Sequence, residues 1–359
     1  MTAQIIAVYG ATGFTGRLVC AELARRGLEF VMAGRNRAAL GDQAELLKEQ
    51  FGLEPQVRVA EHDDVTALDA MLFGVHVLIN CAGPFSELGA PVAEAAIRNR
   101  VHYLDTTGEQ GYMRWLLAHC DGPAAEQKIA LLSACAFEYA TGDFAAELAL
   151  RQGAVHIVVC YAVRNMGMTH GTKKSVVRSL ADKGVTFVDG HLVERSPAYR
   201  IFDVPFPNGS TKKAPWFPGG EPLQVPRRGG VTWVESCIVT GEATAHLLAT
   251  FSGLIPAVMK LVKPVADRVV EMSNADPHKG VEGVPDFLVI AFDPKTGRAF
   301  ATLAGVDAYR TTARIAVEAA TRLTQREPKK VGFTSAAALF DAESFLEAVG
   351  LQIVLPAER

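Results

Sequence analysis

Residues 5–9 form an unbroken apolar run, I-I-A-V-Y, that ends at three spaced glycines, Gly10, Gly13 and Gly16. An apolar run of that length, closed by turn residues, reads as a strand buried on both faces. Residues 17–26 then place Leu18, Val19, Ala21, Leu23 and Ala24 on a helical repeat. The alternation continues. Strands are predicted at 29–33, 56–60, 75–81, 102–104 and 128–135. Helices are predicted at 38–51, from about Thr66, and at 88–100. Thr106 with Glu109, or Thr107 with Gln110, offers a capping box for a further helix. Strand and helix in turn predict an α/β doubly wound parallel sheet over residues 1–136.

After Ala136 the pattern changes. A helix is predicted at 143–150, then longer mixed strands at 156–163, 185–193, 199–204 and 231–240. A hairpin is predicted from 287–292 and 299–304, and a long helix at 309–325. These make a second, α+β domain with a mixed sheet over 137–325. Residues 326–359 are expected to pack back on the first domain. The stretch 205–230 is rich in proline and glycine and carries Trp216, Phe217, Arg227 and Arg228. A loop that long reads as a lid or substrate-specificity loop. Residues 247–259 are apolar and uncharged and contain Gly253 and Pro256. They fall short of the roughly 20 residues a membrane span needs. They predict a buried or interface-facing helix broken near Pro256, with a membrane surface or a substrate tunnel as other uses.

Strand, glycine turn and helix together carry chemistry. Gly10 permits the tight turn, Gly13 lets backbone approach a pyrophosphate, and Gly16 lets helix and strand pack closely. Thr12, Phe14 and Thr15 complete this phosphate-facing turn, where the helix dipole favours anions. The second strand ends in Gly34-Arg35-Asn36-Arg37 instead of the acidic residue that would hold ribose hydroxyls. A guanidinium pairs with a 2′-phosphate that a carboxylate would repel, so NADP(H) is favoured over NAD. Asp63 is the candidate to meet the adenine amino group, with Asp64 as runner-up, and either residue also suits a helix cap. Cys81, Ala82, Gly83 and Pro84 close the fourth strand and suit approach to the nicotinamide ribose.

Composition narrows the rest. The chain has 359 residues and a formal net charge of −3, which gives no electrostatic case for nucleic acid. Six scattered cysteines form no metal-ligand spacing, and no metal site is expected. Free thiols and the lack of a basic-then-apolar leader fit a cytoplasmic protein. No tyrosine has a lysine four residues on, and no nucleophile elbow is present. Tyr139 is the candidate proton donor. Lys173, beside His170 and Lys174, is a candidate to bind a substrate carbonyl or an anionic carrier group.

These motifs resemble the saccharopine dehydrogenase-like oxidoreductases, which include saccharopine reductase and trans-acting enoyl reductases. The resemblance rests on Y-G-A-T-G-F-T-G from Tyr9, A-G-R-N from Ala33, N-C-A-G-P-F from Asn80 and H-Y-L-D-T-T-G-E from His102. It returns at H-G-T-K-K-S from His170, V-P-R-R from Val225 and G-V-D-A-Y-R-T-T-A from Gly305. It implies a Rossmann domain for NADP and a second α/β domain. Many relatives carry a segment like G-F-D-S-I-P-S-D where this chain has C-A-F-E-Y-A-T-G-D from Cys135. The leading expectation is reduction of an activated C=C bond in a largely apolar, lipid- or polyketide-like small molecule, carried by a carrier protein or CoA thioester. The alternatives are C=N reduction of an amino-acid imine and a non-catalytic NADP-binding scaffold or sensor. A homodimer is compatible with the apolar 247–259 stretch.

Overall fold

A computed structural model describes residues 5–164, 170–262 and 285–354. The chain divides into two units. The first comprises residues 1–107, 112–137 and 309–339, and the second 108–111, 138–308 and 340–359.

The first unit is built on strands β1 (Ile5–Tyr9), β2 (Phe30–Gly34), β3 (Gln56–Val59), β4 (Val75–Asn80), β5 (His102–Asp105) and β6 (Ala130–Leu132). A further strand, β15 (Gly332–Thr334), joins them from late in the chain. The order is β15-β6-β5-β4-β1-β2-β3, and every neighbouring pair is parallel. Between β1 and β4 the direction of winding reverses. Ligands bind at such a switch point, outside the carboxyl ends of the strands. The apolar runs are buried as predicted: β2 is buried throughout, and so is β5. Helix Ala308–Gln325 contributes to this unit from Tyr309 onward. Arg26 pairs with Glu318 at 2.7 Å, and the Phe14 and Tyr309 rings meet edge to face at 5.1 Å. The Phe333 N–H donates to Asp121 Oδ1 at 2.8 Å and secures β15.

The second unit holds β7 (His156–Val163), β8 (Gly184–Val188), β9 (His191–Arg195), β12 (Trp233–Ile238), β13 (Phe287–Phe292), β14 (Ala299–Gly305) and β16 (Gln352–Val354). Their order is β16-β14-β13-β7-β12-β8-β9. Only β7 and β12 run parallel, so the sheet is mixed. A separate hairpin, β10 (Ile201–Pro205) with β11 (Thr211–Pro215), packs Phe202, Val204 and Ala214 into a core with Cys160, Cys237 and Ile290.

The structure departs from the sequence reading in four places. The predicted strand at 185–193 is two strands, because Asp189 and Gly190 both take positive φ and turn the chain back. The predicted lid at 205–230 is largely packed. It contains β11, a helical turn at Glu221–Gln224 and a 3-10 turn at Val225–Arg228, and Trp216 is only 2% exposed. The C-terminal stretch is shared: β15 completes the first sheet and β16 the second, while residues 355–359 lie outside the described residues. The boundaries 1–136, 137–325 and 326–359 therefore give way to the interleaved division above.

The fourth departure is the apolar stretch 247–259. It spans two helices, Glu242–Thr250 and Ile255–Val262, bent by 93°. The break precedes Pro256, which sits in the first turn of the second helix, where a missing N–H is harmless. The break is where the sequence put it, and of the two expected settings the buried one is overturned: Leu247 and Leu254 are each 60% exposed and Val258 52%. Among the described residues no single helix is long and apolar enough to cross a membrane.

Trp216 separates the two accounts of 205–230. As a core residue its replacement by alanine should cost about 3–5 kcal/mol. Urea denaturation of Trp216→Ala checks this, since loss of a side chain from a solvent-facing lid would leave the midpoint almost unmoved.

Candidate active site

Backbone crowding fixes the crevice of the first unit. Gly10 has φ +76°, and a Cβ there would stand 2.7 Å from the Ala82 nitrogen. A Cβ on Gly16 would lie 2.2 Å from the Gly10 carbonyl oxygen. The turn after β1 thus touches the loop after β4. Helix Phe14–Arg25 begins at Gly13 with no side-chain cap. Gly13 is exposed, and Thr12, Phe14 and Thr15 are half-buried. Exposed, uncapped helix N–H groups beside a tight glycine turn suit a pyrophosphate.

The end of β2 provides the second contact. Gly34 is buried, while Arg35, Asn36 and Arg37 are exposed. Asn36 also serves the fold directly, because its Oδ1 accepts the Ala39 N–H at 3.1 Å and caps the next helix. Among the described residues no ion pair holds Arg35. Its charge acts on Tyr9, whose phenol burial and Glu61 push up to about 12 against the pull of Arg35. After β3 the aspartates part company. Asp64 accepts the Ala67 N–H at 2.9 Å and caps helix Val65–Met71. Asp63 is exposed, with ligand-type atoms of Glu61, His62 and Asp63 lying within 4.8 Å of one another. At β4 the Cys81 N–H donates to the Tyr9 carbonyl at 2.8 Å, and the Ala82 N–H to Asn80 Oδ1 at 3.0 Å. Burial pushes the Cys81 thiol up to about 12, so it is no nucleophile near neutral pH. Gly83–Pro84 is a cis peptide, and Pro84 opens helix Phe85–Arg98.

The second unit holds a buried polar cluster around Glu221. Tyr161 Oη donates to Glu221 Oε1, and Ser236 Oγ donates to Oε2 at 2.6 Å. Desolvation lifts the Glu221 carboxyl to about 7. A Cβ at Gly142 would come within 2.2 Å of Glu221 Oε1, and one at Gly219 within 2.3 Å of Oε2. Tyr139 joins the cluster through its N–H, which donates to Tyr161 Oη at 2.9 Å. Its hydroxyl donates to the carbonyls of Gly108 at 3.0 Å and Pro218 at 3.1 Å, and the ring is fully buried. Its φ of +70° kinks the helical stretch Phe137–Leu150 near its start. In this geometry Tyr139 is an anchor, and burial pushes its phenol up. Lys173 is half-buried on helix His170–Ala181, where Ser175 Oγ meets Glu109 Oε1 at 3.3 Å.

Gln110 does not form the predicted capping box with Thr107. Its Nε2 donates to the Val185 carbonyl at 2.9 Å, and its Oε1 accepts the Val185 N–H at 2.7 Å. The Thr107 N–H goes to Asp105 Oδ1. Two arginines of this unit are held by buried carboxylates. Arg200 pairs with Glu235 at 3.2 Å, and Arg228 with Asp143 at 2.5 Å and Glu147 at 3.2 Å. Sequence reading missed Glu221, because a carboxylate in an apolar setting carries no motif; the glycines at 142 and 219, which crowd it, were the available hint.

Residues 6–134 match the family model described as the saccharopine dehydrogenase NADP binding domain. Over those residues the chain is similar to the saccharopine dehydrogenase family. It is 27% identical over 199 residues to a mouse saccharopine dehydrogenase-like oxidoreductase, covering 50% of this chain and 46% of that protein. It is 31% identical over 140 residues to a putative trans-acting enoyl reductase of Mycobacterium tuberculosis, covering 38% and 33%. A lipid droplet localized protein of Caenorhabditis elegans is 30% identical over 150 residues, covering 40% and 35%. The chain thus spans less than half of the length of these relatives. Yeast saccharopine dehydrogenase (L-Glu forming), in its apo form, shares the fold with a TM-score of 0.60 at 12% identity, over 98% of this chain and 100% of that one.

In a nucleotide-binding sheet of this kind the residues at the end of β2 face the adenosine ribose, and here that place is Arg35. Arg35→Ala should weaken NADPH binding roughly tenfold or more while leaving NADH binding little changed. Fluorescence titration with both nucleotides measures the difference.

Proposed function

We propose that this chain is an NADP-dependent reductase of an activated C=C bond in an apolar, lipid- or polyketide-like molecule presented as a CoA or carrier-protein thioester. NADPH, when bound, supplies the hydride. Gly10, Gly13 and Gly16 leave room for its pyrophosphate, and Arg35 selects its 2′-phosphate. The mouse and mycobacterial relatives, named as an oxidoreductase and an enoyl reductase, support the reaction class. All six cysteines are free and five are buried, which fits work in the reducing cytoplasm.

The observation that favours C=C over C=N is the state of two of the second unit's arginines. A saccharopine-like imine carries several carboxylates and needs convergent, uncommitted cations. Arg200 and Arg228 are instead neutralised by Glu235 and Asp143. A lipid-like substrate also fits the bent helix pair, where Leu247, Phe251, Leu254, Val258 and Leu261 stand exposed. Such a patch suits the surface of a lipid phase in which an acyl substrate resides, and one relative bears the name of a lipid droplet protein.

NADPH oxidation measured with enoyl thioesters of increasing acyl length, with enones, and with amino acid–aldehyde mixtures tests the reading. Turnover is expected with the enoyl substrates and to rise with acyl length. Turnover only with the imine mixtures overturns the C=C assignment, and tight NADPH binding with no turnover on any of them supports a scaffold or sensor. For the apolar patch, flotation with phosphatidylcholine vesicles should recover the wild-type chain and lose most of it in Leu254→Asp/Leu261→Asp.

A further inference from the structure

The nine residues from Gly305, G-V-D-A-Y-R-T-T-A, end β14 and open the helix Ala308–Gln325. From Tyr309 onward that helix belongs to the first unit. Near its start the Tyr309 ring meets the Phe14 ring edge to face, with centroids 5.1 Å apart and planes at 77°. Further along, Arg26 Nη1 donates to Glu318 Oε2 at 2.7 Å. Both contacts are made to helix Phe14–Arg25 and its C-cap, Arg26, and the residue numbers rise together on the two sides. The two helices therefore run the same way, and their first turns lie side by side. Thr312, one turn after Tyr309, adds a third tie: its Oγ1 accepts the Phe137 N–H at 2.9 Å, in the stretch that follows β6.

Phe14 is the first residue of its helix and directly follows Gly13. Gly13 is held through its main chain. Its N–H donates to the Gly10 carbonyl at 3.0 Å, and its carbonyl accepts the Arg17 N–H at 2.9 Å. An uncapped helix start that follows a glycine turn loses conformational freedom when it closes on a ligand. A side chain that already fixes Phe14 reduces that loss. The Tyr309 ring does so, because an edge-to-face aromatic pair has a preferred geometry that two aliphatic side chains lack. Both rings are half-buried, so the pair stands beside the turn and not in the core of the sheet.

We propose that Tyr309 is a positioning residue for the pyrophosphate of the nucleotide. It acts through Phe14, at the helix start whose N–H groups face the phosphates. The proposal rests on the nucleotide reading of the crevice. The role belongs to the ring of Tyr309 and not to its hydroxyl. The far end of the same helix pair offers an internal comparison. There Arg26 also pairs with Glu22 at 2.8 Å, and Glu318 with Arg322 at 2.8 Å. These charges join the helices about three turns away from the phosphate turn. Loss of Glu318 loosens the packing and leaves that turn in place.

The experiment is calorimetric titration of the full chain with NADPH and with adenosine 2′-monophosphate, which carries the 2′-phosphate and no pyrophosphate. Tyr309→Leu keeps apolar bulk and loses the ring. It should bind NADPH roughly twofold to tenfold more weakly, the span set by the worth of an aromatic pair, and bind the monophosphate as wild type does. Tyr309→Phe should bind both ligands as wild type does. Phe14→Leu should show the same selective loss. Phe14→Leu/Tyr309→Leu should bind NADPH no more weakly than the weaker single variant, since each change removes the same contact. Glu318→Gln should cost stability in urea and leave NADPH affinity unchanged.

Wild-type NADPH affinity in Tyr309→Leu, or an equal loss for both ligands, overturns the proposal while the nucleotide reading stands. So does a Tyr309→Phe variant as weak as Tyr309→Leu, an additive loss in the double variant, or a loss in Glu318→Gln that matches Tyr309→Leu. Failure of wild type to bind either ligand overturns both.

Discussion

Two backbones meet where the first sheet reverses its winding, and the site is organised around that contact. The Gly10 and Ala82 main chains approach so closely that no side chain fits between them. The same constraint sets the pitch of the first helix, because Gly16 must clear the Gly10 carbonyl. Everything the crevice can bind is placed relative to these atoms. The helix start is open because Gly13 offers no cap. The end of β2 presents a guanidinium because its neighbour Gly34 is buried and Arg35 is not. Specificity is thus written on a frame that has little freedom to move.

The second unit solves a different problem, that of keeping charge in an apolar interior. Glu221, Glu235 and Asp143 are all buried, and each is satisfied differently. Glu221 receives hydroxyl donors, Glu235 an arginine with tyrosine and tryptophan donors, and Asp143 an arginine. A buried carboxyl without its partner costs several kcal/mol, on the order of what separates a folded domain from an unfolded one. These clusters therefore tie distant stretches of sequence together and limit which side chains remain for a substrate.

Sequence alone carried the first sheet far. Strands β1, β2 and β4 are buried on both faces, so their apolar runs are continuous and easily seen. β15 is three residues long, and its pairing depends on β6 and Asp121, which no local pattern encodes. The stretch around Trp216 reads as a loop because its prolines and glycines mask a short hairpin strand and two helical turns. The stretch from Leu247 is legible as apolar but not as exposed, since hydrophobicity says what a residue prefers and not what covers it. Among the candidate site residues, the glycines and Arg35 follow from spacing. Tyr139 stands out by position, yet its hydrogen bonds to Gly108 and Pro218 depend on a fold that brings those carbonyls to its hydroxyl.

The chain passes between its two units at residues 107, 111, 137, 308 and 339. During synthesis from the N-terminus, β1 to β6 emerge early, but β6 keeps an unpaired edge until Gly332–Thr334 leave the ribosome. That open edge persists while about 200 further residues are made, on the order of ten to forty seconds at ordinary elongation rates. An exposed parallel strand of three apolar residues is a site for wrong pairing. The nascent chain thus has a defined interval in which a chaperone would protect it, and removing the last 30 or so residues would make that interval permanent.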